Sequence, residues 1–445
     1  MTDLKAICQQ AAEAARRSGA GQAEAYASEA VSREVKLEKN DIHLAASSTT
    51  SGLGVRVFVD RALGFASTNC LDAAEVERSA GAAVAVARSG RPDDANELPE
   101  GAALPAVPGL HEEALAATTM AETLDYARRM LAAARDFDPR VTIDSGSVEV
   151  VTRRRAVVNT RGVEAAETSS LITYFLMGMA RDSEDVSSFQ FEFEAHRERE
   201  RVDVEGLARK LAGKVVATLG AGKGESFKGT VILSPDAVIE VLAAPMLFSV
   251  DANMVQKGMS PFADKLGRAV ADSRITVVDD GLLAGGLASS AFDREGVPHR
   301  PVTIVRNGVL ESYLYDTRTA RRGGARSTGH AAGGARSVPS IGPTNLSFAP
   351  GDVGKGEMIA GVDRGILVTR LSGGPDPVSG DLSGVVKGGF LIRNGKLAQP
   401  LTGTAIQANS YDLLRKVTAV SRETESIYSF RMPYIRVEDV SVTSG

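Results

Sequence analysis

The stretch Leu391-Ile392-Arg393-Asn394-Gly395-Lys396-Leu397 decides the fold class. Asn-Gly supplies both positive-φ positions of a type I′ turn, and apolar residues flank it, so the segment predicts a tight antiparallel hairpin. A near copy, Ile304-Val305-Arg306-Asn307-Gly308-Val309-Leu310, lies upstream. Two such hairpins in a Gly-rich, turn-dense region predict a C-terminal domain that is mainly antiparallel β, barrel-like or strongly coiled.

Working backward, Gly220-Ala221-Gly222-Lys223-Gly224 separates a predicted helix from a new strand, Thr230-Val231-Ile232-Leu233. It is the best domain boundary, giving domains over 1–224 and 225–445; a chain of 445 residues exceeds one typical core. In the first domain, helical spacing predicts helices over 2–18, with Thr2 as N-cap, and over 72–88, with Asp72 as N-cap. Helices are also expected at 118–136 and 203–218. Residues 22–68 read as short alternating segments, clearest at Val55, Val57 and Val59. The Pro- and Gly-containing stretch 90–110 reads as a loop, and strands are expected at 141–151, 154–160, 164–178 and 186–196. Strands that cluster rather than alternate singly with helices predict an α+β fold with antiparallel sheets.

Composition excludes several functions. The chain has 51 basic and 56 acidic residues, a net charge of −5, and no Trp among 5% aromatics. This argues against nucleic-acid binding, which favours a basic stripe and aromatic stacking platforms. Cys8 and Cys70 alone make no disulfide framework and fit a reducing cytoplasm. No apolar run reaches the ~18–20 residues that span a bilayer, and the amino terminus has no signal-peptide pattern. A soluble, cytoplasmic protein is expected.

The individual polar motifs are weak. Asp279-Asp280-Gly281 follows a β-branched run and reads as a strand closing in a turn, its two carboxylates facing opposite sides. The basic segment Arg318 to Arg336 contains no acidic residue. Its Gly324-x-x-x-x-Gly329 spacing lacks the Lys-Ser/Thr of a phosphate loop, because His330-Ala331 stands there. It reads as a solvated loop, as a peptide contact through Arg326, Gly329 and His330, the glycine allowing close backbone approach and the cations holding carbonyls or a carboxylate, or as a nucleic-acid contact made by a single basic loop on an acidic protein. No G-x-S-x-G elbow occurs. The many hairpins offer sheet edges to which an extended peptide could add as a strand.

The segment Val241 to Phe262, the motif Phe292-Asp293-Arg294-Glu295-Gly296-Val297-Pro298 and the two Asn-Gly units follow one another in an order that resembles the TldD/PmbA family. This family is also called modulator of DNA gyrase, or peptidase U62. In the family's metal-bearing branch a His-Glu-x-x-x-His box precedes a Gly-Thr/Met-Ser segment. Counting back from Gly258-Met259-Ser260, that box falls on Ala243-Ala244-Pro245-Met246-Leu247-Phe248. Catalytic zinc needs about three His, Asp, Glu or Cys ligands and an open water position, and Ala243, Ala244 and Phe248 supply none. The branch also uses a C-terminal Cys, and Ser421 to Pro433 contains none. From residues alone, the box segment reads as a buried helix or an apolar substrate wall.

The resemblance therefore implies the metal-free PmbA/TldE branch. Such a subunit has no catalytic or metal residues of its own and builds the substrate chamber and dimer of a zinc metallopeptidase acting on unstructured peptides. It carries no cofactor; zinc is expected in a TldD-like partner, with a homodimer as the other assembly. The alternatives are a homodimeric hydrolase with a metal-independent site near His330, or a binding module for a macromolecule such as gyrase.

Overall fold

The computed structural model describes residues 3–445. Thr2, the expected first N-cap, lies outside them. Helix α1 (Leu4–Arg17) is capped by Asp3, whose carboxylate accepts from the Lys5 and Ala6 N–H groups at 3.0 and 3.1 Å. Strands β1 (Gln22–Glu38), β2 (Asp41–Val59) and β3 (Ala62–Thr68) follow, then α2 (Ala73–Arg88), α3 (Glu113–Ala116) and α4 (Met120–Phe137). Strands β4 (Val141–Asn159), β5 (Glu164–Ala180) and β6 (Gln190–His196) and helix α5 (Val204–Val216) complete the first half. All six strands form one antiparallel sheet in the order β3-β2-β1-β4-β5-β6.

Asp72 caps α2 as the sequence predicts, accepting from Glu75 N–H at 2.9 Å. The short segments expected over 22–68 are instead two strands of 17 and 19 residues plus β3, and 141–160 is one strand through Asn159. Two turns were hidden because they adopt positive φ without glycine: Lys39-Asn40 (50°, 66°) and Asp60-Arg61 (48°, 63°). Residues 43–50 of β2 are mostly exposed, so no apolar alternation marks them.

The two faces of this sheet have different jobs, set by the period of two. Ala23, Ala25 and Ala27 of β1, with Ala156 and Val158 of β4, bury against α1 and α2. Val148 and Val150, on the same face of β4, pack in the core shared with α4 and α5. The alternate residues Glu24, Tyr26, Arg155 and Val157 lie on the opposite face, where Tyr26 and Val157 pack with Phe292 and Ala335 of the second half. The polar face of one sheet is thus roofed by the loops of the other half.

The second half begins with β7 (Gly222–Lys223), β8 (Phe227–Leu233), α6 (Pro235–Val238), a π-helical turn at Ile239–Ala243, α7 (Ala244–Val250) and α8 (Ala252–Gln256). There follow β9 (Val277–Asp280), β10 (Pro301–Arg306), β11 (Val309–Leu310), α9 (Thr317–Arg322), β12 (Ala331–Ala332), β13 (Ser340–Ile341) and β14 (Leu346–Phe348). The chain ends with α10 (Lys355–Ala360), β15 (Arg364–Pro375), β16 (Asp381–Arg393), β17 (Lys396–Thr402), β18 (Thr404–Asn409), α11 (Ser410–Arg415), β19 (Val417–Ile427) and β20 (Phe430–Ser444).

Strand β8 pairs β15, β15 pairs β16, β16 pairs β18, β18 pairs β20, and β20 returns to β8. That cycle closes a barrel, mixed because β8 and β15 run parallel. Both Asn-Gly units are tight turns with positive φ: 46° and 80° at Asn307-Gly308, 48° and 73° at Asn394-Gly395. The α+β class with antiparallel sheets and a C-terminal barrel is therefore what the chain adopts. No helix among the described residues is long and apolar enough to cross a membrane.

Candidate functional site: a groove along a sheet edge

The degenerate box lies on the α6–α7 helix. Pro235 starts it at the first turn, behind the Ser234 cap. Ala243 is buried in the barrel core, Ala244 is exposed and Phe248 is half-buried. Ser249 Oγ donates to the Pro245 carbonyl at 2.8 Å and lies 2.8 Å from the Tyr411 hydroxyl, which fixes the helix against α11. Among the described residues, no group of three His, Cys, Asp or Glu side chains is placed to hold a metal ion.

One turn before the box, Asp236, Ile239 and Glu240 line a cavity of about 310 Å³. Its other walls are Gln190 and Phe191 of β6, Lys214 of α5, Thr369 and Arg370 of β15, and the Ile427–Phe430 turn joining β19 to β20. The helix lacking the metal box and the hairpin lacking the cysteine therefore face one another. Burial pushes the carboxyls of Asp236 and Glu240 upward from their usual range.

Past Tyr428 and Phe430 the space continues into a cavity of about 520 Å³, lined by consecutive residues Phe193 to Glu198 and by Leu283 to Leu287. Consecutive lining residues mean that the strand's edge, rather than one face, borders the space. β6 is indeed the terminal strand of its sheet, with β5 as its sole strand partner among the described residues. Phe193 stacks on Tyr428 with centroids 4.0 Å apart.

Past Arg197 and Leu287, shared with the previous space, lies a third cavity of about 330 Å³ under the roof of the first sheet. It holds Arg153, Arg155, Arg294, His299 and His330 among its walls. His330 is 2% exposed, and both its ring nitrogens have partners: Nε2 lies 3.1 Å from Asp279 Oδ1, and Nδ1 lies 2.9 Å from Thr328 Oγ1. Asp279 also accepts from Thr344 N–H and Oγ1. His299 packs its ring over Gly281, where a Cβ would come within 2.6 Å of it. Burial, with His330 adding to it, lowers the His299 imidazole to about 4.

Of the three residues expected to touch peptide, Gly329 (φ 73°) and His330 are buried together, while Arg326 is exposed and apart from them. The basic segment is not a free loop. Arg318 and Arg322 of α9 pair with Asp93 at 2.8 and 2.5 Å, and Arg321 pairs with Glu97. The partners lie more than 220 residues earlier, so sequence inspection missed them. Beside α9, Glu295 and Glu24 bracket Arg56 at 2.8 and 2.5 Å, and Arg294 reaches Glu24 at 2.9 Å. All four side chains are buried and tie the two halves together.

Most of the chain matches known domains. The description PmbA/TldA metallopeptidase fits in three consecutive parts: domain 1 over 23–87, the central domain over 113–219 and the C-terminal domain over 226–444. The chain belongs to the PmbA/TldD family. It is 25% identical to metalloprotease PmbA of Escherichia coli O157:H7 over 408 residues, 91% of this chain and 88% of that protein. It is 30% identical to metalloprotease MJ0996 of Methanocaldococcus jannaschii over 220 residues, about half of each chain. The crystal structure of TldE from Thermococcus kodakarensis superposes with a TM-score of 0.89 at 23% identity, covering 99% of this chain and 100% of that one. Within the PmbA/TldD frame, the groove residues Phe193, Tyr428 and Arg197 escaped sequence reading. The alternation of Phe191 and Phe193 with Gln190, Glu192 and Glu194 was the available signal for the strand, but nothing local marked its edge.

Proposed function

We propose that this chain is a TldE/PmbA-type, non-catalytic subunit of a TldD/TldE-type zinc metallopeptidase acting on unstructured peptides. One observation carries the reading: the groove between β6, the α6–α7 helix and the β19–β20 turn opens one helical turn before Ala243, and neither the box positions Ala243, Ala244 and Phe248 nor the facing hairpin supplies a zinc ligand. An extended peptide added to the β6 edge gains main-chain hydrogen bonds whatever its sequence, which suits unstructured substrates. The subunit holds the peptide and completes the dimer; zinc, base and thiolate ligand come from a TldD-like partner.

The test is co-purification with the TldD-like protein of the same cell, then metal analysis and peptide cleavage. A one-to-one complex that cleaves, with zinc traced to the partner, is the expected result. Cleavage by the isolated chain that survives chelators and is lost in His330→Ala would overturn it in favour of a metal-independent hydrolase. The two engaged nitrogens of His330 weigh against that outcome.

A further inference from the structure

The groove ends at a cavity whose walls carry more cations than carboxylates. Arg197, the residue after β6, is 7% exposed, yet its guanidinium meets only carbonyls: Gly286, Leu287, Leu110 and Ser170, at 2.7–3.4 Å. A buried guanidinium normally has a carboxylate partner, because carbonyl dipoles offset less of its desolvation. Arg294, 1% exposed and on the same cavity wall, gives Nη1 to Glu24 but has a buried Nη2 with no hydrogen-bond partner. Arg153, on the same face of β4 as Arg155, is exposed and makes no ion pair among the described residues, whereas Arg154 and Arg155 are paired with Glu29 and Glu167. The lining carries four arginines against two carboxylates, Glu167 and Asp293. Both are engaged: Glu167 with Arg155, and Asp293 with the Glu295, Val297 and Ala331 N–H groups.

We infer that the cavity bounded by Arg153, Arg197 and Arg294 is a carboxylate site that receives the C-terminal carboxylate of a peptide lying along β6. The position sets the direction. The seven residues of β6 span about 23 Å at ~3.3 Å each, from the Gln190 end beside the α6–α7 helix to the Arg197 end at this cavity. A peptide anchored there runs in the same direction as β6, its upstream residues passing Tyr428 and reaching the degenerate-box end. The inference rests on the groove reading above, and adds to it a requirement for a free chain end.

The experiment is binding of an amino-terminally labelled, Gly/Ser/Ala-rich peptide of roughly ten residues to the full chain, followed by fluorescence anisotropy. Three peptides are compared: the free acid, the C-terminal amide, and the amide with one internal Glu. The free acid should bind about tenfold or more tighter than the amide, as expected for charge-assisted hydrogen bonds made at a desolvated site. Arg153→Glu, at an exposed position, should remove that preference, and Arg153→Lys should retain most of it. Equal binding of acid and amide overturns the carboxylate site and leaves the groove standing. Binding of the internal-Glu amide as tightly as the free acid overturns the assignment to a chain end. If no peptide binds, the groove reading fails, and this inference with it.

Discussion

Phe193 of β6 and Tyr428 of the β19–β20 turn stack with centroids 4.0 Å apart and planes 26° from parallel, so the two halves of the chain touch beside the proposed peptide path. Tyr428 holds a positive φ of 53° and is 47% exposed. Such a pair contributes roughly 0.5–1.5 kcal/mol beyond its buried area. Tyr428→Ala loses that term together with the half-buried ring's own area, so it should lower unfolding stability by at least about 0.5 kcal/mol and weaken binding of an extended peptide severalfold. Anisotropy titration beside a denaturant curve separates the two effects. Unchanged peptide affinity in this variant would move the binding path away from β6.

The buried quartet Glu24, Arg56, Arg294 and Glu295 joins the halves at the opposite end. Removing one partner leaves a buried charge uncompensated, at a cost of about 3–5 kcal/mol. Arg56→Met should lower stability by that order. Arg56→Met combined with Glu295→Gln should cost less than the sum of the two single changes, since the neutral amide leaves no unpaired Glu295 charge once Arg56 is gone and still accepts from the Thr317 N–H that Glu295 holds at 2.8 Å. Urea unfolding of the four proteins of this cycle measures the coupling. Additive losses would mean that the network contributes no linkage between the halves.

Local chemistry explains which parts of this architecture were legible in the sequence. Asp72 announced α2, and Asn307-Gly308 and Asn394-Gly395 announced hairpins, because caps and type I′ turns are specified by residues next to them. The Lys39-Asn40 and Asp60-Arg61 turns were not announced, since neither carries the glycine that usually marks positive φ. The apolar identities of Ala243, Ala244 and Phe248 are legible directly. The groove is not, because its walls are assembled from residues near 190, 240, 285 and 428. The same limit hid the pairing of Arg318 and Arg322 with Asp93, which turned an apparent solvated loop into an anchored helix.

His299 makes stability depend on pH. Its folded value of about 4 lies below the ordinary 6.5, so the unfolded chain binds the proton more readily. Its neutral form is accommodated fully above pH 6.5, and folding stability falls as pH drops from there toward 4. The difference of 6.5 − 4 corresponds to a limit of about 3 kcal/mol at ~1.36 kcal/mol per unit. Wild type minus His299→Gln, measured by urea unfolding at pH 7.5 and 4.5, isolates this residue from the oppositely acting Asp293, whose carboxyl burial and Glu295 push upward. The advantage of wild type should shrink at the lower pH. A difference independent of pH would mean that the imidazole titrates normally.

Zinc is the last quantity that distinguishes a subunit from an enzyme. Restoring the box by Ala243→His, Ala244→Glu and Phe248→His supplies two ligands and a base, but the facing Ser421–Pro433 hairpin still offers no thiolate. Two histidines fall short of the three protein ligands that a catalytic zinc site uses. Ala243 is also fully buried in the barrel core, so an imidazole there costs roughly 1–3 kcal/mol of overpacking. The purified triple variant should melt at a lower temperature than wild type and retain no equimolar zinc after dialysis, as should the wild-type chain. Dialysis against zinc followed by elemental analysis and a thermal melt reads both. Stoichiometric, tightly held zinc in the triple variant would show that the barrel supplies a third ligand from elsewhere, and the chain would then have to be regarded as an enzyme one short step from activity.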